Sequence, residues 1–347
     1  MSGRGAGHLP RLGLTHIVSA PAGPLLRVHD LVKHFPARGV QRQRGSVIHA
    51  VDGVSLEIAL GETLGLVGET GCGKSTVARL VTRLLEPTSG RVEYAGKDIT
   101  RWSRRRLRPL RREIQMVFQD PYSSLNPRRR VGSIVGDPLR AHHIGTRSER
   151  RARVSEVLRL VGLDPSHADR YPHQFSGGQR QRIGVARAIV TNPQLVVADE
   201  PVSALDVSIQ AQVLNLIDDL HREFGLALLF ISHDVSVVRH VSDRIAVMYL
   251  GKIVELAGTE RLFEAPAHPY TAALLSAVPS ARGGRKVRSG PTVVGEPPSP
   301  LNPPSGCRFR TRCPFAQQIC TDVEPPLERR AGSLVACHFP LDSSSGS

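Results

Sequence analysis

The stretch Gly68-Glu69-Thr70-Gly71-Cys72-Gly73-Lys74-Ser75-Thr76 decides the fold. Its first eight residues match the Walker A pattern G-x-x-x-x-G-K-S/T. A short apolar segment precedes it, and apolar residues at helical spacing follow it, so the glycines lie between a predicted strand and a predicted helix. The N–H groups of such a turn bind phosphate, assisted by the positive end of the helix. The sequence therefore predicts an α/β phosphate-binding fold, and a Gly-rich turn formed by chance is disfavoured by the Lys74-Ser75 pair.

A second apolar segment, residues 194–198, ends in the carboxylates Asp199 and Glu200. A continuous apolar run is typical of a parallel strand buried on both faces, and ligands bind at the carboxyl ends of such strands. We therefore expect Asp199 to hold Mg²⁺ beside Ser75, with Lys74 on the phosphates. Glu200 is then a general base for an attacking water. Without the upstream loop, an Asp-Glu pair in this position would be read as a helix cap with a solvated neighbour.

A third apolar segment, residues 226–231, ends in Ser232-His233-Asp234. A lone histidine after a strand is usually a loop residue. Here the strand should lie in the same sheet as the other two, so we expect His233 to reach a terminal phosphate.

The order of the motifs resembles the nucleotide-binding subunit of an ABC transporter over about residues 25–280. The motifs are the Walker A loop, Gln119 in V-F-Q-D-P, Phe175-Ser176-Gly177-Gly178-Gln179, the Asp199-Glu200 pair, Ser203-Ala204-Leu205-Asp206, and His233. This resemblance implies a P-loop NTPase (RecA-like) α/β core, an antiparallel β subdomain, and a helical subdomain at about residues 120–185. It also implies ATP and Mg²⁺ as ligands.

The same resemblance assigns roles to individual residues. Gln119 is the Q-loop residue near Mg²⁺, Asp206 belongs to the D-loop, and His233 is the switch histidine. Phe35 matches the aromatic residue that stacks on adenine, although a plain core phenylalanine is the alternative. The resemblance implies further nucleotide contacts from the loop (Gly68, Gly71, Gly73, Thr76) and from the signature motif (Ser176, Gly177, Gly178, Gln179), where Phe175 replaces the commoner leucine.

Two further stretches are similar to the oligopeptide/dipeptide importer ATPases, the F-type more than the D-type. They are M-V-F-Q-D-P-Y-S-S-L-N-P-R at residues 116–128 and H-P-Y-T-A-A-L-L at residues 268–275. This resemblance implies an ATPase on the cytoplasmic face of the cell membrane that energises peptide import. Its expected partners are a second ATPase or a second copy, two permeases and, indirectly, an extracytoplasmic solute-binding protein. A nickel importer and a soluble ABC ATPase remain the alternatives.

Four of the five cysteines lie near the C-terminus, at Cys307, Cys313, Cys320 and Cys337. The spacing is not that of a zinc ribbon, but four thiolates can hold zinc or a 4Fe–4S cluster. The importer resemblance favours the cluster, and metal-free thiols are the alternative. Around these cysteines the sequence predicts a small, irregular C-terminal segment.

The charge of the chain and its apolar runs limit the classes of protein to which it can belong. The net charge of +15 suggests nucleic acid, but no nucleic-acid motif accompanies the arginine clusters, so we expect no such partner. No apolar run is long enough to cross a membrane, and a signal peptide is not apparent. The predicted organisation is a disordered tail (1–24), a nucleotide-binding domain (25–265), a C-terminal extension (266–340) with a linker at 280–305 and a four-cysteine module at 306–340, and a final tail (341–347).

Overall fold

A computed structural model describes residues 23–37, 46–120, 124–277, 295–330 and 332–341. Residues 1–22 of the predicted N-terminal tail, 280–294 of the predicted linker and 342–347 of the predicted final tail lie outside these residues. The strands are β1 Leu26–Pro36, β2 Val47–Ile58, β3 Thr63–Val67, β4 Ser89–Tyr94, β5 Lys97–Asp98, β6 Ile114–Val117, β7 Leu195–Asp199, β8 Ala227–Ser232, β9 Arg244–Tyr249, β10 Lys252–Gly258, β11 Glu328–Arg330 and β12 Ser333–Val335.

The α-helices that the structure describes vary from one turn to five turns. They are α1 Lys74–Val81, α2 Arg104–Leu110, α3 Val131–Val135, α4 Asp137–Ala141, α5 Arg147–Leu160, α6 Gly177–Ile189, α7 Val207–Phe224, α8 Val235–Val241, α9 Thr259–Glu264, α10 Pro269–Ser276 and α11 Ile319–Asp322.

The central sheet has eight strands in the order β11-β12-β10-β9-β3-β8-β7-β6. The strands from β9 to β6 are parallel to one another, whereas β10, β12 and β11 continue the sheet in antiparallel fashion. Every residue of β3, β7 and β8 is buried. This explains their uninterrupted apolar sequences, since helices or a second sheet cover both faces.

Alternate residues of the central strands enter two separate apolar cores. In β7, Val196 and Ala198 belong to the core shared with α6, α7 and the helical segment 131–160. Leu195 and Val197 belong to the core shared with α1 and a four-stranded antiparallel sheet of order β2-β1-β4-β5. The period-two alternation of a strand therefore holds the two smaller layers on opposite faces of the central sheet.

The predicted helical subdomain contains α3, α4 and α5 within the connection between β6 and β7. Helix α5 starts at a capping box: the Thr146 hydroxyl accepts from the Glu149 N–H, and the Glu149 carboxylate accepts from the Thr146 N–H. Its apolar face, including Val154, Val157 and Leu158, packs into the first core with Ile183 of α6. These contacts tie the helical layer to the helix that follows the signature motif.

The four-cysteine segment is more regular than the sequence predicts. It contains the short helix α11 and the hairpin β11–β12, and β12 pairs with β10 at the edge of the central sheet. Strands of three residues are too short to show a period in the sequence, so their pairing depends on the edge that β10 already offers.

Candidate active site

The phosphate loop connects β3 to α1, as the sequence predicts. Gly73 has φ of 111°, and a Cβ atom there would lie 2.0 Å from the Ala50 carbonyl oxygen of β2. A Cβ atom at Gly68 would lie 2.1 Å from the Met248 carbonyl oxygen. Neighbouring backbone therefore presses on the loop from both sides, and only glycine fits at these two positions.

Lys74 is buried beneath its own loop. Its ammonium group donates to the carbonyl oxygens of Gly68, at 2.8 Å, and Glu69, at 3.0 Å. These bonds satisfy a charge that would otherwise be buried without a partner. A phosphate entering the loop can replace them, because an anionic oxygen is a stronger acceptor than a carbonyl.

Two oxygen ligands suited to Mg²⁺ lie together beside the loop. The Ser75 hydroxyl donates to Asp199 Oδ1 at 2.9 Å, so α1 and the end of β7 meet there. Burial raises the pKa of the Asp199 carboxyl, and the hydrogen bond from Ser75 opposes that shift. A hard cation prefers such oxygen donors and would stabilise the ionised carboxylate.

Two residues, each following a different strand, converge on one carboxylate oxygen at the end of a third strand. Gln119 Nε2 donates to Glu200 Oε2 at 2.9 Å, and His233 Nδ1 lies 3.3 Å from the same oxygen. The side chain of Glu200 is 10% exposed, whereas that of His233 is 48% exposed. Because β6, β7 and β8 are neighbours, their carboxyl ends deliver these side chains to one place.

Glu200 has a backbone conformation that is uncommon for a residue with a side chain. Its φ is 46°, and its N–H donates to the Ile231 carbonyl oxygen of β8 at 2.9 Å. A left-handed conformation of this kind costs free energy and is found most often where function fixes the geometry. Here it turns the carboxylate towards Gln119 and His233.

Phe35 and Thr76 flank the loop less directly. Thr76 follows Ser75 in α1, and its N–H donates to the Gly73 carbonyl oxygen. Phe35 is half-buried in β1 opposite Ile48, two residues before Ala50, and the Lys33 ammonium lies 5.2 Å from its ring centroid. The strand β2 therefore links the aromatic ring to the edge of the phosphate loop.

The signature motif forms a second helix N-terminus. Ser176 caps α6, its hydroxyl accepts from the Gln179 N–H, and the Gln179 side chain accepts from the Ser176 N–H. Gly178 is buried against Ile209 of α7, where a Cβ atom would lie only 2.4 Å from Ile209 Cγ2. Asp206 is exposed at the start of α7. The hydrogen bonds that the structure describes for Ser176, Gln179 and Asp206 do not reach the phosphate loop or Glu200.

The four C-terminal cysteines line one small cavity together with His268 and Phe309. The cavity volume is about 10 Å³. Burial raises the pKa of the Cys337 thiol to about 12, and it also raises the pKa values of Cys307 and Cys313. Among the described residues, three donors close enough to hold one ion are found at His34, His49 and Asp52, not at the cysteines.

The His34, His49 and Asp52 group is not apparent from the sequence, because strand pairing creates it. Arg308 of the C-terminal extension contacts the Asp52 carboxylate and the Leu250 carbonyl. A crevice of about 650 Å³ is bordered by the same extension and by β1, β2 and β10. None of the residues predicted to bind nucleotide lines it.

Sequence reasoning also misses the residues that hold the phosphate loop from outside. The Glu69 N–H donates to the hydroxyl of Tyr270, and the Glu69 carboxylate accepts from Arg312. Tyr270 belongs to the H-P-Y-T helix, which the sequence marks as a family feature without indicating its neighbour.

Comparisons with known proteins agree with this arrangement. Residues 51–203 match the family described as "ABC transporter", and residues 254–320 match "Oligopeptide/dipeptide transporter, C-terminal region". The chain is 55% identical to the oligopeptide transport ATP-binding protein AppF of Bacillus subtilis, over 91% of this chain and 97% of that protein. It is 52% identical to the probable peptide ABC transporter ATP-binding protein y4tS of Sinorhizobium fredii, over 90% and 89% of the two chains.

Solved structures share the fold. The dimeric post-hydrolysis state of the ATP-binding cassette MJ0796, bound to ADP and Pi, superposes with a TM-score of 0.61 at 30% identity, over 67% of this chain and 98% of that one. CbiO1 of Clostridium perfringens, part of the ABC transporter complex cbiONQ, superposes with a TM-score of 0.60 at 28% identity, over 70% of this chain and 91% of that one. Within the described residues, no helix is both long and apolar enough to cross a membrane. The chain therefore belongs to the ABC transporter ATP-binding proteins, in the branch that carries the oligopeptide/dipeptide transporter C-terminal region.

Proposed function

We propose that this chain hydrolyses ATP to energise the import of peptides across the cytoplasmic membrane. The observation that carries the ATPase chemistry is the convergence of Gln119 and His233 on the Glu200 carboxylate, next to the Ser75–Asp199 pair. The C-terminal match and the names of the relatives support peptides as the cargo. A nickel importer of the same family is the alternative that the transport assay below separates.

In this proposal, each residue near the bound ATP has a defined task. The Lys74 ammonium gives up its hydrogen bonds to the loop carbonyls and donates to phosphate oxygens instead. Phe35 stacks on the adenine. Ser75 and Asp199 hold Mg²⁺, which when bound neutralises charge on the phosphates. Glu200 accepts a proton from the attacking water, and Gln119 and His233 orient its carboxylate. Gln119 also lies near the Mg²⁺, and His233 reaches the terminal phosphate.

A second ATPase subunit completes the site. Ser176 to Gln179 lie at the N-terminus of α6, a kind of position that binds anions in proteins. The hydrogen bonds described for Ser176 and Gln179 do not reach the phosphate loop of the same chain. We propose that this motif and Asp206 face the ATP bound by a partner, which is a related ATPase or another copy. The dimeric MJ0796 cassette is the precedent for such pairing. Two permeases would bind the helical segment at about residues 120–185, and the chain would act as a peripheral protein on the cytoplasmic face.

The four cysteines have the donor set for zinc or a 4Fe–4S cluster, but the described arrangement does not fit the larger group. A cavity of about 10 Å³ has room for roughly one water molecule. Among the described residues, no three of these sulfur atoms lie within 4.8 Å of one another. A metal at these cysteines is therefore a separate proposal, and no step of ATP hydrolysis depends on it.

The test is purification of the tagged chain from its native membranes, followed by identification of the bound proteins. Two permeases and a second ATPase are expected, and ribosomes or DNA without permeases would contradict the proposal. Vesicles containing the complex and its solute-binding protein should take up labelled peptide with ATP, whereas uptake of nickel alone would favour the alternative. Iron, sulfide and zinc measured in the same sample decide the metal: about four irons per chain indicates the cluster.

A further inference from the structure

Glu69, the second residue of the phosphate loop, is held at three points. Its N–H donates to the Tyr270 hydroxyl at 3.0 Å, and its two carboxylate oxygens accept from Arg312 Nη1 at 3.0 and 3.1 Å. Its carbonyl oxygen accepts from the Lys74 ammonium at 3.0 Å. Two of the three partners belong to the C-terminal extension, and the third is the loop's own phosphate-binding lysine.

The two partners in the extension are themselves rigidly held. The Tyr270 side chain is buried, and its ring lies 4.7 Å from the Tyr249 ring and 5.4 Å from the Phe309 ring, measured between centroids. The Arg312 side chain is 11% exposed, and its guanidinium also donates to the Tyr249 hydroxyl at 3.4 Å. An ion pair held in a fixed geometry and shielded from water contributes more than an exposed one.

We propose that Tyr270 and Arg312 are positioning residues for the phosphate loop, through which the C-terminal extension sets the affinity for ATP. The physical reason is the geometry of a single residue. The Glu69 N–H and the Gly68 carbonyl belong to one planar peptide group, and that carbonyl accepts from the Lys74 ammonium at 2.8 Å. Because the extension fixes the Glu69 N–H on Tyr270 and the Glu69 carboxylate on Arg312, it also fixes the orientation of this carbonyl. Releasing those contacts lets the loop adopt other conformations, and only the fraction that is open to phosphates binds ATP.

The first test measures ATP binding by the full-length chain and ATP turnover by the purified complex. Arg312→Ala should raise the Kd and the KM for ATP about tenfold, the effect expected when a charged hydrogen bond is lost, while kcat changes less than about twofold. Glu69→Gln should have a similar effect, and Arg312→Ala combined with Glu69→Gln should add little further because both changes break the same contact. Tyr270→Phe, which removes the acceptor of the Glu69 N–H, should also raise the KM.

Matched controls separate positioning from loosening of the fold. Arg330→Ala breaks an exposed ion pair with Glu328 in the same extension, and Tyr94→Phe removes a buried hydroxyl that donates to Gln194 far along the chain. Both should leave the KM for ATP unchanged. If Arg312→Ala does not fold, Glu69→Gln tests the same contact at the more exposed of the two side chains, since Glu69 is 29% exposed and Arg312 is 11% exposed. An unchanged KM in Glu69→Gln, fully additive effects in the double variant, or an equal rise in Arg330→Ala would each overturn the proposal.

Discussion

Replacing Glu200 by glutamine should stop ATP turnover while leaving ATP binding intact. The amide has the size of the carboxylate and can still accept a hydrogen bond from Gln119, now 2.9 Å from Glu200 Oε2, so the surrounding geometry should persist. What disappears is the negative charge that accepts a proton. Loss of a general base lowers a rate by about 10²- to 10⁴-fold, equivalent to about 3 to 5 kcal/mol in the activation barrier.

The assay is phosphate release by the purified complex at saturating ATP, together with equilibrium binding of ATP to the same variant. Because Lys74 and the phosphate loop are not in contact with the substituted atom in the described hydrogen bonds, the Kd should stay within about twofold of the original value. Glu223→Gln, an exposed carboxylate on α7, is the matched control and should turn over normally. Turnover of Glu200→Gln within a few-fold of the unaltered complex would refute the general-base role.

Three further predictions concern the loop, the aromatic residue and a buried histidine. Lys74→Ala should abolish measurable ATP binding, since it removes the one buried ammonium that the described loop holds for the phosphates; binding close to normal would contradict this. Phe35→Ala should weaken ATP binding by about tenfold, as expected for loss of one base–aromatic stack, with inorganic tripolyphosphate binding unchanged as the control. Burial lowers the pKa of His268 to about 3, so below pH 6.5 the unfolded chain takes up a proton that the folded chain does not. Between pH 6.5 and about 3, His268 alone should therefore lower the free energy of unfolding by about 1.4 kcal/mol for each pH unit of acidification. The variant His268→Asn keeps an acceptor for the Tyr270 N–H, and its free energy of unfolding should depend less steeply on pH by that amount. Equal pH dependences for the two proteins, measured by urea unfolding, would contradict a buried neutral His268.

The parts of the fold that the sequence predicts are those in which the pattern is local. The buried strands β3, β7 and β8 are continuous apolar runs, and each ends at a residue of the candidate site, so their shared sheet edge follows from the parallel fold. The resemblance to a family adds Gln119 and the signature motif, which have no comparable local signal.

Contacts between distant segments are what the sequence does not predict. Glu69 and Arg312 are far apart in the chain, and neither stands out among the many charged residues. The ion pair between Arg308 and Asp52 is equally hidden in the sequence, because only the docked C-terminal extension brings the two residues together. The three donors at His34, His49 and Asp52 meet only through the register of the paired strands. The contribution of such an ion pair to stability depends on how well it is shielded from water. That shielding exists only after the sheets and helices have packed together.

The pairing of β12 with β10 affects how the protein is made and how it can be cut. Strand β10 is an almost wholly buried apolar strand, and β12 places Val335 opposite Glu255 and Leu334 opposite Leu256. Until the ribosome has released β12, the outer N–H and C=O groups of β10 are an unpaired edge, the kind that recruits strands from other molecules. Proteolytic loss of β12 would recreate that edge in the finished protein, so the few residues that complete the sheet also keep the mature chain from pairing with other molecules there.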